Sequence, residues 1–368
     1  MTRRIELEIG PVAHGGHFVA RHEGQVVFVR HALPGERVTV EITEDDGRFL
    51  RGDAVEVLEA SAHRVPPPCP YAGPGRCGGC DFQHVTLEEQ RHLKAAVVSE
   101  QLERLAGLER DVVVEEVPPS DGLAWRSRMQ YVHLPDGGDG LRKHRSHDVV
   151  EIDRCLIAHP DAREPEDGVV VEQVETSSGT GVLEVAADGF WQPHVNAPRT
   201  LVECVLAMLE PRPGESVLDL YAGVGLFAAF LAHVVGPDGS VVAVEGDRTA
   251  SRHSQANLAS YPWARSVQGR VDRVLHRGVG TADLVVLDPP RVGAKRQVVR
   301  AMAALEPRDV AYVACDPAAL ARDIGYFAEQ GYTLAELRAF DLFPMTNHVE
   351  CVALLEKAGS DLLRSDAQ

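Results

Sequence analysis

At 368 residues, 44% of them apolar and 25% charged, the chain has the composition of a globular protein long enough for two or three cores. A net charge of -18 opposes nonspecific attraction to polyanions, and seven cysteines are too few for a disulfide framework. No apolar run reaches the roughly 18 residues of a membrane span, and RRIELEI at the N-terminus carries no signal-peptide core, so the expectation is a cytoplasmic protein with no membrane partner.

Residues 1–60 read as short alternating strands with glycine-containing turns (RIELEIG, HFVARHEGQVVFVR, ERVTVEI, AVEVLEA), which predicts a small β-barrel. A proline- and glycine-rich loop follows, VPPPCPYAGPGRCGGC (65–80), then a helix from about Leu87 to Leu105. The stretch to Gly189 is mixed, with strands near VVVEEV, RMQYVHL, DVVEI and VLEVA and an exposed loop expected over 161–180. From Phe190 the apolar runs SVLDLYAG, SVVAVEG, ADLVVLDPP and DVAYVAC alternate with helical segments, which predicts a doubly wound α/β domain with a mostly parallel sheet. The tail from Ala358 is polar.

Four features carry chemistry. Cys315 ends one strand run and opens a helix, with Asp316 as its N-cap and Pro317 at the first helical position. A thiol at a helix N-terminus is expected to be activated as a nucleophile, the alternative being a buried structural cysteine. Asp288, in DPPR, ends the preceding strand run, and such ends line the ligand crevice of an open parallel sheet. The loop after SVLDL holds Gly223 and Gly225, with Asp219 on the strand and Glu245 ending the next strand, where a carboxylate commonly accepts ribose hydroxyls. Only two glycines of a dinucleotide fingerprint are present, so an adenosyl group without pyrophosphate fits better than NAD, and S-adenosylmethionine is the natural candidate. Finally, Cys69, Cys77 and Cys80 crowd into twelve positions, with Cys155 a distant fourth, which suits an iron-sulfur cluster or zinc; His84 keeps zinc open. Cys204 and Cys351 read as core residues. Local basic runs, Arg126 with Arg128, RKHR (142–145) and RVGAKRQVVR (291–300), run against the overall acidity.

Together FWQPHVN, DLYAGVGLF, DPPR, ACDPAALARD and NHVEC resemble the S-adenosylmethionine-dependent RNA 5-methyluridine methyltransferases. VVFVRHALPGERVTVEI resembles their oligonucleotide-binding-type TRAM domain, and CGGCDFQH with Cys69 and Cys155 resembles their cluster-binding central domain. The resemblance implies a TRAM domain over 1–60, a mixed α+β [4Fe-4S] domain over 61–189, a Rossmann-like methyltransferase domain over 190–357 and a tail over 358–368. It implies Cys315 as the nucleophile that adds to uracil C6 and Glu350 as the base that removes the C5 proton. Gln192, Tyr221, Leu226, Glu245, Asp272 and Asp288 fall where the family contacts cofactor or uracil. The chain departs from the family in a longer gap between Cys69 and Cys77, in Leu226 where Asn is common, and in its acidity.

The expected partner is RNA, ribosomal in preference to transfer RNA because barrel and cluster occur together, and the chain is expected to act as a monomer. Two rivals come from other classes. An amino-methylating enzyme for adenine or cytosine also uses a strand-end D-P-P, but follows it with an aromatic residue where Arg291 stands here. A noncatalytic RNA-binding iron-sulfur protein would leave the cofactor loop, Cys315 and Glu350 without a use.

Overall fold

The computed structural model describes residues 3–135 and 137–358, and the chain falls into two compact units. The first collects Met1–Glu100, Val113–Arg163 and Asp341–Val349; the second collects Gln101–Val112, Glu164–Phe340 and Glu350–Gln368. Beyond Ala358 the polar tail lies outside the described residues. Among those residues no helix is long and apolar enough to cross a membrane.

Six strands open the first unit: β1 (Arg4–Glu8), β2 (Val12–Ala13), β3 (His17–His22), β4 (Gln25–Arg30), β5 (Arg37–Asp45) and β6 (Phe49–Glu59), hydrogen-bonded in the order β1-β5-β6-β4-β3-β2. Alternation sends Phe18, Val27, Val29, Val38, Val40 and Leu50 into a core from which water is excluded. The hairpin between β3 and β4 closes on Glu23 and Gly24, whose φ of 50° and 85° give the two left-handed residues that a tight two-residue loop requires.

Helix α1 (Leu87–Gln101) begins where the sequence expects it, but the next residues, Leu102–Ala106, widen into a π turn closed by left-handed Gly107. Within the first unit, α1 anchors the segment Asp341–Val349. Gln90 accepts the Met345 N–H (2.8 Å), and the Met345 carbonyl accepts the N–H groups of Asp81 and Phe82 (both 2.9 Å). Lys94, fully buried, donates to Asp341 (2.5 Å) and to the Phe343 carbonyl (3.0 Å).

In the second unit, strands Ala264–Gln268, Ser240–Glu245, Ser216–Leu220, Leu284–Leu287, Asp309–Ala314, Glu350–Lys357 and Tyr332–Asp341 lie side by side in that order. The first five are mutually parallel, Glu350–Lys357 runs antiparallel to them, and Tyr332–Asp341 runs antiparallel to Glu350–Lys357. The chain enters at Ser216–Leu220, builds outward to one side, then returns to build the other, so the order reverses at that strand and opens a crevice at its carboxyl end. The loop expected over 161–180 is instead strand: Ala158–Arg163 reaches into it, and Val169–Thr176 pairs along its whole length with Gly179–Ala186. Only Val174 of Val169–Thr176 is buried, so composition hid the period of two.

Replacing Lys94 by Met strands a buried carboxylate, and the urea midpoint should fall by an amount equivalent to about 3–5 kcal/mol. The double variant Lys94→Met, Asp341→Leu should recover most of the loss. Equal midpoints for wild type and Lys94→Met would contradict the buried pair.

Candidate active site

Strand Ser216–Leu220 runs into a loop with an unusual backbone, in which Tyr221, Gly223 and Gly225 all have positive φ (61°, 54° and 87°). A Cβ on Gly223 would stand in open space, whereas one on Gly225 would meet Ser254 Oγ at 3.0 Å. The loop thus leaves room for a ligand at its first glycine and closes on the next helix at its second. Glu245 braces it, accepting the Gly223 N–H (2.8 Å) and the Asp247 N–H (2.6 Å). Asp219 is fully buried and accepts the Ala228 N–H (2.9 Å) at the start of helix Leu226–Val235, while its second oxygen has no partner. Leu226 turns into the core, so any ligand contact from this position comes from its backbone. Asp272 lies in the first turn of helix Val271–Arg277 and pairs with Arg270 (2.8 Å), and burial, then the Asp272 charge, raises the Tyr221 phenol.

Across the switch point, Asp288 follows Leu284–Leu287 and receives a hydrogen bond from Gln192 Nε2 (3.3 Å). Ala314 pairs with Cys351 between the antiparallel strands Asp309–Ala314 and Glu350–Lys357, so Cys315, one residue further, falls opposite Glu350. Cys315 is half-buried and Glu350 almost wholly buried. Asp316 accepts the Ala319 N–H (2.8 Å), as its N-cap position predicts.

That arrangement corrects the expectation of a thiol activated by the helix. Burial, then the charges of Glu350 and Asp288, push the Cys315 thiol up to about 12, and only Arg291 opposes them. The N-cap carboxylate of Asp316 adds its own negative charge where the dipole was expected to help. At neutral pH the free protein therefore holds Cys315 as a neutral thiol.

In the first unit, Cys69, Cys77, Cys80 and Cys155 line a single cavity of about 550 Å³, and all four are free thiols. Gln83 ties two of them together, donating to Cys80 Sγ (3.4 Å) and accepting the Cys69 N–H (3.4 Å). Burial raises Cys77, Cys80 and Cys155, and the neighbouring thiols push the same way. Among the described residues no group of three or more His, Cys, Asp or Glu side chains is already drawn together as a metal site. His84 instead bonds the Ala32 carbonyl (3.1 Å). Cys204 and Cys351 are buried, as expected of core residues.

Comparison with known proteins adds relatives to this geometry. The TRAM domain model matches residues 2–55, the tRNA (Uracil-5-)-methyltransferase model residues 278–358, and the protein-L-isoaspartate O-methyltransferase model residues 182–273. An uncharacterized RNA methyltransferase of Streptomyces avermitilis is 45% identical over 98% of this chain and 100% of its own. The 23S rRNA (uracil(1939)-C(5))-methyltransferase RlmD of Alkalilimnicola ehrlichii is 30% identical over 97% of each chain. The chain belongs to the RNA uracil-C5 methyltransferase family. Its fold matches the crystal structure of the Pyrococcus abyssi tRNA (uracil-54, C5)-methyltransferase in complex with S-adenosyl-L-homocysteine, with a TM-score of 0.71 at 21% identity over 95% of this chain and 100% of that one.

For an RNA uracil-C5 methyltransferase, two neighbours of this site escaped the sequence reading. Arg291 enters the sequence reading only as the residue after DPP and as part of a basic run, yet its charge opposes the rise of both Cys315 and Glu350. Ser254 lies on a helix whose face toward Gly225 only the packing reveals; its hydroxyl is buried without a partner.

Burial, assisted by Asp288 and Glu245, pushes Asp219 up to about 8. An unfolded Asp loses its proton near about pH 4, so between that pH and about 8 the folded chain binds the extra proton. Its stability contribution is therefore present in acid and fades as pH rises through the folded value. Asp219→Asn keeps an acceptor for Ala228 and abolishes this titration, so its Tm should fall less than that of wild type between pH 5 and 8, by about 3 °C. Scanning calorimetry at both pH values checks this; parallel slopes would mean that Asp219 is already ionised.

Proposed function

We propose that the protein methylates C5 of a uridine in RNA, with Cys315 as nucleophile, Glu350 as base and ribosomal RNA as substrate. The observation that carries the reading is the register that sets Cys315 opposite Glu350, with Asp288 in the same electrostatic cluster. Full-length similarity to the RlmD relative supports the ribosomal choice.

S-adenosylmethionine fits the Gly223 cradle, where a side chain would occupy open space, and when bound supplies an electrophilic methyl group. Gly223, Tyr221 and Glu245 would hold its adenosyl part, and Gln192 with Asp288 would orient the uracil. Asp288 is pushed up to about 7 by burial, so it is partly ionised at neutral pH and can take the Cys315 proton. The sulfur then bonds uracil C6, and the C5–C6 π pair moves toward O4 as an enolate. C5 uses that pair to form its bond to the methyl group, whose bond to the sulfonium sulfur would break with its pair left on sulfur, so that S-adenosylhomocysteine would leave. Glu350, raised well above the ordinary carboxyl range by burial and Asp288, is a strong base once ionised and takes the C5 proton. The freed pair rebuilds C5=C6, the sulfur–C6 bond breaks, and the thiolate recovers a proton. Arg291 favours the anionic forms of both side chains.

The four thiols around one cavity suit a [4Fe-4S] cluster, because a cationic metal core offsets the repulsion that four thiolates would otherwise face. Its role in this reading is structural. A cytoplasmic, monomeric enzyme completes the proposal.

Cys315→Ala should abolish both methylation and any covalent RNA adduct. Glu350→Gln should slow turnover by roughly 10²–10⁴-fold while a denaturation-resistant adduct accumulates. Labelled RNA on denaturing gels, with tritium release from C5-labelled uridine, reads both; methylation by Cys315→Ala would refute the nucleophile. Anaerobically purified protein should be brown and contain iron and sulfide, whereas stoichiometric zinc without sulfide would refute the cluster.

A further inference from the structure

In the second unit, the segment between Asp288 and helix Lys295–Ala303 is held by a buried network that no step of the uracil reaction uses. Its centre is Asp323, on helix Pro317–Ala328, which begins two residues after Cys315. Asp323 is fully buried. One of its oxygens accepts the Tyr312 hydroxyl (2.8 Å) and the Lys295 N–H (3.1 Å). The other accepts Arg322 Nε (3.0 Å) and Nη2 (2.8 Å).

The side chains that meet Asp323 also hold the segment themselves. The Tyr312 oxygen, on strand Asp309–Ala314, accepts the Ala294 N–H (3.1 Å), and Arg322 donates to the Val292 carbonyl (2.8 Å). Gly293 donates its N–H to the Pro290 carbonyl (2.7 Å). Every residue from Val292 to Lys295 thus has a backbone group tied down. The residue just before them is Arg291, exposed itself, whose charge acts on both Cys315 and Glu350.

The backbone needs that restraint. Lys295 has a φ of 72°, which a residue with a side chain keeps only where its surroundings over-determine it. Gly293 has a φ of 73°, and a Cβ there would stand 2.5 Å from both Arg322 Nη2 and Asp323 Oδ2, so the loop backbone lies directly on the charged pair. Burying a carboxylate costs free energy that an apolar contact between helix and loop would avoid. An apolar contact, however, cannot fix the direction of successive backbone groups, whereas hydrogen bonds do.

We propose that Asp323, with Tyr312 and Arg322, is a positioning group for Arg291: it holds the loop in the conformation that keeps the Arg291 guanidinium within electrostatic reach of Cys315 and Glu350. In this role Asp323 touches neither substrate nor cofactor and acts through Arg291. The inference rests on Cys315 and Glu350 carrying the proposed uracil reaction.

The test follows formation of the Cys315 adduct on ribosomal RNA transcribed with 5-fluorouridine, in the presence of S-adenosylmethionine. With fluorine in place of the C5 proton, Glu350 has no proton to remove, and the adduct persists on a denaturing gel. Full-length wild type, Arg291→Gln, Asp323→Asn and Gly293→Ala are compared, together with the latter two each combined with Arg291→Gln. Titration with S-adenosylhomocysteine serves as the control for folding. At saturating RNA each single variant should slow trapping by roughly 10- to 100-fold, with the half-saturating RNA concentration unchanged. On the Arg291→Gln background, Asp323→Asn and Gly293→Ala should slow it no further, because groups that act through one another are not additive. Wild-type trapping rates in Arg291→Gln, or in both Asp323→Asn and Gly293→Ala, would overturn the inference and leave the uracil reading standing. Factors that multiply with that of Arg291→Gln, or losses confined to half-saturation, would do the same. Should Asp323→Asn fail to bind S-adenosylhomocysteine, Tyr312→Phe, which removes one hydroxyl, decides by the same criteria. Wild type that traps no adduct would overturn both readings.

Discussion

Three carboxyl groups at the carboxyl edge of one sheet set the chemistry of the second unit. Asp219, Asp288 and Glu350 come from three different strands, and each is raised by burial before any other cause. Each also lies where another carboxylate would repel it, Asp288 acting on both Asp219 and Glu350. Ionising all three in a site of low dielectric would cost several kcal/mol per uncompensated charge, and retaining protons avoids that cost. Burial in this crevice therefore favours the protonated forms of these acids and of the Cys315 thiol. Arg291 is the nearby cation that favours the anionic forms of Cys315 and Glu350.

The sheet's order is what assembles this set. Because the chain begins at Ser216–Leu220 and builds outward in both directions, the ends of Leu284–Leu287 and Asp309–Ala314 follow one another on one side of the switch point. The antiparallel insertion of Glu350–Lys357 then brings its first residue, not its last, to the same edge. A base on a parallel strand would have to stand at the end of the run. Glu350 stands at the start, which is why it looks in sequence like an ordinary surface acid before VALL.

Much of the rest was legible because it follows from local rules. Four apolar runs gave four of the five parallel strands, Ala264–Gln268 being the one not foreseen, and Gly223 with Gly225 gave the loop, where positive φ and, at Gly225, a close approach to Ser254 require them. Cys204 and Cys351 were readable as core from their apolar surroundings. The errors share a cause, which is that burial and long-range charge are invisible locally. Cys315 has the local signature of an activated thiol, but its environment is set by Glu350, 35 positions away, and by burial that outweighs the dipole. Burial likewise hides that Asp219 accepts the Ala228 N–H at a helix start and that the Leu226 side chain packs in the core. The strand over Val169–Thr176 was missed because a strand with one buried side chain reads as a polar loop.

The net charge of -18 shows the same limit in the other direction. Read as a sum it argues against a nucleic-acid partner, because a uniformly acidic surface repels phosphate at distances up to the Debye length of about 8 Å at physiological salt. Affinity, however, is decided within that distance, where only neighbouring groups act. Arg30, Arg51 and Arg145 are separated by up to 115 positions in sequence, yet all three act on His17 in the folded chain. Acids outnumber bases in both units, so the sum alone does not say where a basic cluster sits. Local clusters of basic side chains, and not the sum over the chain, therefore decide where a polyanion can approach.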